Sequence, residues 1–140
     1  MASILAGLVG GLLATVAMTA LMMAIGDGSP PPTANFWSKF VGDEPPDEYM
    51  MQGMVLHLLY GTVAGIVFVL VVPLVLSVST LTAGIIAGIA YALVLFVVAA
   101  VFWMRLVLGM EPEMRKAGGL LVFHLTYGVV LGGIVGLNIL

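Results

Sequence analysis

The sequence predicts an all-α fold: a polytopic membrane four-helix bundle made of two tandem helical hairpins. Three observations predict it. Of 140 residues, 62% are hydrophobic and 8% charged, with a mean hydropathy of +1.24. Soluble domains carry about 25% charged residues, so the solvent this chain suits is a bilayer. Four apolar stretches, roughly residues 2–25, 49–76, 80–104 and 117–140, each reach the ~20 residues of a spanning helix. The second and fourth stretches repeat one motif, His57-Leu58-Leu59-Tyr60-Gly61 with Gly65 and His124-Leu125-Thr126-Tyr127-Gly128 with Gly132.

The first helix is expected from Ala2 to about Ile25. It lacks the basic start and the cleavage site of a signal peptide, and its apolar run is too long, so it reads as a retained span. Gly7 and Gly11 form a GxxxG pair that allows close approach of another helix. Thr15 and Thr19 share a face one turn apart. Met18, Met22 and Met23 follow; a methionine stripe can ligate soft metals, but its ordinary use is adaptable packing, and no metal is expected.

Residues 26–48 form the long polar loop. Pro30-Pro31-Pro32 ends the first helix in an extended stretch. Residues 33–40 suit a short interfacial helix with Phe36, Trp37 and Phe40 toward lipid. Asp43, Glu44, Asp47 and Glu48 surround Pro45-Pro46; without other ligands they read as a solvated acidic loop, the last two suiting a helix start. The second spanning helix starts near Asp47, and Pro73 kinks or ends it. Ser79 or Thr80 caps the third, which carries a further GxxxG pair, Gly84 and Gly88, and ends at Phe102-Trp103. After a loop at Glu111-Pro112-Glu113, the fourth carries His124, Tyr127, Gly128, Gly132 and Gly136.

The repeat fixes the expected organisation. His57, Tyr60, Gly61 and Gly65 map onto His124, Tyr127, Gly128 and Gly132 at an offset of 67; Gly7 and Gly11 map onto Gly84 and Gly88 at an offset of 77. One domain, 1–140, then divides into a hairpin of about 2–76 and another of about 79–140. Each crosses twice, so the repeat is parallel, with its axis along the membrane normal. Both histidines fall ~12–15 Å from the charged end at 1.5 Å per residue. All charged side chains fall in loops 26–48 and 105–116 or at their edges, on one side of the membrane. By the positive-inside rule those loops are cytoplasmic and both termini outside.

Composition excludes several functions. No cysteine means no disulfide, iron–sulfur cluster or thiolate site. A net charge of −3 offers no surface for nucleic acid, and four Lys and Arg cannot form a polybasic lipid-binding cluster. No serine, cysteine or carboxylate stands beside either histidine as a nucleophile would, so an enzyme acting on soluble substrates is disfavoured.

The Gly-rich run Gly7-Leu8-Val9-Gly10-Gly11-Leu12-Leu13-Ala14-Thr15, the Pro-containing loop and Val55-Leu56-His57-Leu58-Leu59-Tyr60-Gly61 resemble an uncharacterised family of small prokaryotic four-helix membrane proteins. The resemblance spans most of the chain. It implies a multi-pass protein of a prokaryotic plasma membrane and brings no activity. The acidic loops and scarce lysines look like those of salt-adapted organisms.

A histidine inside a spanning helix is expensive and has a partner or a task. On a helix His57, Tyr60 and Gly61 share a face, as do His124, Tyr127 and Gly128. The first reading is a non-catalytic binding or assembly subunit, a homo-oligomer or part of a larger membrane complex, with lipid as its surroundings and glycine lanes (Gly7, Gly11, Gly61, Gly65, Gly84, Gly88, Gly128, Gly132 and Gly136) seating the helices. An alternative is a haem b electron carrier, with His57 and His124 as axial ligands, glycines leaving room for porphyrin, and Arg105, Arg115 and Lys116 meeting the propionates. Another is a proton-linked transporter or channel with the histidines and Tyr60 and Tyr127 along its path.

Overall fold

A computed structural model describes residues 3–140; Ala2, placed in the first helix and hairpin by the sequence, lies outside the described residues. The described residues form five α-helices and no strand: α1 Ile4–Ile25, α2 Pro32–Phe40, α3 Met50–Val71, α4 Leu81–Val97 and α5 Met114–Gly136. Pro46–Tyr49 winds as a 3-10 turn into α3, and Val72–Leu74 as another out of it. Four helical units, Ile4–Ile25, Pro46–Leu74, Leu81–Val107 and Met114–Gly136, are long and apolar enough to cross a membrane. Their outward faces carry Leu5, Leu12, Val63, Leu70, Ile86 and Val94, as lipid contact demands.

Local chemistry sets most boundaries. The Ser3 hydroxyl accepts from the Ala6 N–H at 3.0 Å and opens α1. The Thr80 hydroxyl does the same for α4, accepting from Ala83 at 3.2 Å. Pro32 occupies the first turn of α2, where its missing N–H has no cost. After α5, Asn138 takes a left-handed φ of 53°, and its side chain donates to the Ser79 carbonyl at 3.2 Å, tying the chain end to the α3–α4 turn.

Two elements depart from expectation. The third span does not run to Trp103 as an α-helix; Val98–Val107 is wound as a π-helix, with the Leu108 N–H donating to the Trp103 carbonyl at 2.9 Å. The loop helix α2 does not present all three aromatics to lipid. A Cβ on Gly53 would meet Ala34 Cα at 2.8 Å, so α2 lies hard against α3. That approach turns Phe36 inward against Trp103, ring centroids 6.0 Å apart and edge to face, and leaves Phe40 exposed.

In the bundle α1 packs on α3, α4 on α5 and α5 on α1, while α3 and α4 meet only through side chains. Two seams are made backbone to backbone. At Gly65 a Cβ would meet Gly11 Cα at 2.5 Å, and at Gly7 it would meet the Gly65 carbonyl at 2.7 Å. In the other seam a Cβ on Gly132 would meet Gly88 Cα at 3.0 Å, and one on Gly84 would meet Gly136 Cα at 2.7 Å. Elsewhere side chains mediate. Gly10 faces Leu131 between α1 and α5. Between α3 and α4 the Tyr91 hydroxyl donates to the Ala64 carbonyl at 2.8 Å, with Phe68 edge-on to the Tyr91 ring at 5.3 Å. Phe68, Leu131 and Val135 are fully buried and fill the half of the bundle away from the charged loops. At the loop end, Lys116 Nζ lies 3.6 Å from Asp27 and Arg105 lies 3.5 Å from Glu111, both pairs exposed.

Candidate functional site

The half of the bundle nearer the loops holds a cavity of about 280 Å³. Helix α1 lines it with Thr15, Met18 and Met22, and α3 with Leu56, His57, Tyr60, Gly61 and Ala64. Leu95 and, from the π segment, Ala99 and Trp103 form a third wall; Leu120, His124 and Tyr127 of α5 form the fourth. Pro31, Thr33 and Phe36 close the loop end. No Lys, Arg, Asp or Glu lines it among the described residues.

His57, Tyr60, His124 and Tyr127, singled out by the repeated motif, are thus brought to one cavity, but they are not equivalent there. His124 is 8% exposed, and its Nδ1 lies 2.8 Å from the Leu120 carbonyl. A carbonyl only accepts, so Nδ1 carries the proton and Nε2 keeps its lone pair. Tyr127 donates to the Gly61 carbonyl at 2.6 Å, across from α5 to α3. Each of these side chains has a backbone partner. In the other motif, His57 Nε2 is buried without a hydrogen-bond partner. Tyr60 is 44% exposed and accepts from the Trp103 indole N–H at 3.2 Å, with the rings edge to face. An unpartnered buried polar atom costs about 1–3 kcal/mol, so a ligand that bonds His57 Nε2 would recover that cost. The Thr33 hydroxyl, also buried and unpartnered, lines the same cavity.

The glycines of the motif are helix contacts, with Gly61 also at the cavity wall. A Cβ on Gly61 would run into the Thr15 side chain, and one on Gly128 into Ala92 Cβ at 2.6 Å and the Gly88 backbone. Thr15 itself returns its hydroxyl to the Gly11 carbonyl at 2.7 Å. The lanes are therefore filled by neighbouring helices and add no space to the cavity.

Haem b fits these residues poorly. The glycine space a porphyrin would use is taken, and the cavity offers no cation to its propionates. Arg105 and Lys116 are held by Glu111 and Asp27 instead. A through-path is disfavoured too. The cavity ends at Thr15, Ala64 and Tyr127, and beyond them Phe68 and Leu131 are each 0% exposed.

Sequence reasoning missed Trp103, Phe36 and the cavity-facing Met18 and Met22 as parts of one site. Trp103 enters through the π winding and Phe36 through the Ala34–Gly53 contact, and neither leaves a periodicity to read. The methionine spacing of four was legible, but which wall it faced was not.

No curated protein and no solved structure matches this chain. Over residues 1–138 it matches a family described only as being of unknown function (DUF6789), and it belongs to that family.

Proposed function

We propose that this chain is a non-catalytic binding subunit of a membrane, whose ligand seats in the cavity against His57 and His124. The observation that carries this reading is the convergence of both histidines on one cavity with His57 Nε2 unpartnered. Bundle cores between facing helices are common ligand sites, mostly apolar with a few placed polar groups. The lining here has that character. The organisation we favour is two tandem hairpins in one domain. Gly65 against Gly7 and Gly11, and Gly132 against Gly84 and Gly88, follow the offsets of 67 and 77 and support it. On this reading one motif of the repeat, His124 and Tyr127, has become scaffold, while His57 and Tyr60 stay free for a ligand. Placement in a plasma membrane with cytoplasmic loops, and assembly with copies or partners, belong to the same proposal.

The test is native mass spectrometry of the protein extracted in mild detergent, beside an Ala99→Phe variant that fills the cavity from the π wall. A non-covalent adduct at one per chain, absent from the variant, is the expected result. Two ligand-free proteins of equal stability would refute the reading and leave the histidines a packing role alone.

A further inference from the structure

The cavity brings together two imidazoles and two thioethers from three helices, a donor set that the sequence keeps far apart. The registry of the helices fixes their depth. Helices α1 and α3 run antiparallel, with Gly11 against Gly65 and Thr15 against Gly61. Met18 lies three residues past Thr15, and His57 four before Gly61, so the two differ in depth by about 1.5 Å at the helical rise. Helices α1 and α5 are also antiparallel, with Gly10 against Leu131 and Ile134. Eight residues on from Gly10, Met18 comes level with residues 123–126, which include His124. Met22 lies one turn nearer the loop end on the same wall.

From this arrangement we infer that the cavity is a site for a soft monovalent cation, Cu(I), held by His57 Nε2, His124 Nε2 and the Met18 thioether, with Met22 as a relay ligand toward the loop end. The inference rests on the binding-subunit reading and names its ligand.

Several features support it. Thioether and imidazole together select Cu(I) over hard or borderline ions. Among the described residues no group of three or more His, Asp or Glu stands together, so nothing here provides a divalent site by the usual donors. The cavity has no carboxylate to balance a second positive charge, and burying uncompensated charge is costly. His124 already has the posture of a metal-binding histidine: its Nδ1–H is anchored on a backbone carbonyl and its Nε2 is left with a lone pair. His57 Nε2 has no other use in the fold. Met18 is buried at 5% exposure, and the flexibility of a thioether in a cavity of about 280 Å³ lets it close on an ion. Trp103 and Phe36 add aromatic walls to the site, meeting edge to face at 6.0 Å. Binding needs no redox step and displaces no proton, provided His57 carries its proton on Nδ1.

The experiment is an anaerobic titration of the full chain, in detergent or nanodiscs, against the coloured Cu(I) complex of bicinchoninate, with Zn(II) in parallel. The expected result is withdrawal of one Cu(I) per chain and no uptake of Zn(II). Met18→Leu keeps volume and hydrophobicity, so it is expected to keep the wild-type melting temperature while binding Cu(I) about tenfold more weakly or worse. His57→Gln is expected to abolish binding; should it unfold, Met18→Leu alone decides. No withdrawal of Cu(I) by folded wild type, or equal binding by Met18→Leu, overturns the inference. An organic adduct lost in Ala99→Phe, without Cu(I) uptake, overturns the metal and keeps the cavity. Neither adduct nor Cu(I) overturns both.

Discussion

Replacing Gly65 with alanine probes the contact on which half of the bundle is built. A Cβ there would lie 2.5 Å from Gly11 Cα and 2.8 Å from Gly11 N. Both atoms are backbone, so no rotamer change relieves the clash, and α1 and α3 must part by about 1 Å to reach ordinary carbon contact. A gap of about 0.5–1 Å already forfeits a quarter to a half of each dispersion contact across the seam. Overpacking of this kind costs about 1–3 kcal/mol. Removing a glycine from a helix interior returns about 0.5–1 kcal/mol. The net expectation is a loss of about 1–2 kcal/mol. Gly118→Ala on α5 is the control: nothing lies within 4 Å of its Cβ position, so only the helical gain remains. The two variants should differ by about 2 kcal/mol and in sign, read as equilibrium unfolding in mixed micelles by circular dichroism. If Gly65→Ala shifts as Gly118→Ala does, backbone contact along this seam is not what holds α1 to α3.

Two smaller predictions follow from the hydrogen bonds. Tyr127→Phe leaves the Gly61 carbonyl without its cross-helix donor at 2.6 Å. Bonds of this kind in membranes average about 0.6 kcal/mol with a maximum near ~1.7, so the same unfolding assay should show a loss within that range; an unchanged or raised stability would mean the bond contributes nothing. At the loop end, the Ser29 hydroxyl and N–H donate to Asp27 at 2.5 and 3.0 Å, and Lys116 lies nearby. The Ser29 bonds foremost, with the Lys116 charge a smaller influence, hold the carboxyl below its usual 3.8, at about 2. A depressed folded value means the contribution of this turn is complete above the ordinary carboxylate value and is lost as pH falls through about 2. Carbon-detected titration of the Asp27 carboxyl should give the low midpoint in high salt as well as low, because hydrogen bonds are screened less than the ion pair. A midpoint near 3.8 would mean that the Ser29 bonds do not form.

The spans were legible because their signal is local and long: apolar runs bounded by prolines, glycines and charges. The 3-10 turns at Pro46 and Pro73 sit where the prolines already pointed. The short loop helix was legible from its aromatics and its leading prolines, although its inward face was not, since that depends on Ala34 meeting Gly53 across the fold. The π winding at Val98–Val107 left no mark in a largely apolar stretch that carries no proline or glycine.

By itself the sequence determined an all-helical chain with four helices able to cross a membrane, and it singled out two histidines in a repeated motif. Bilayer solvation forces those features into composition, because every residue facing lipid must be apolar and every backbone group must bond within its own helix. Only the tertiary structure decided what the motif residues do. Identical His-x-x-Tyr-Gly segments met different neighbours, so Tyr127 is bonded to the Gly61 carbonyl while Tyr60 turns to Trp103, and His124 is anchored while His57 is not. The cavity where they meet is made by registry between helices far apart in the chain, as Thr15 and Tyr127 are, set by where glycine lets two backbones touch. Periodicity along one helix carries no record of that contact.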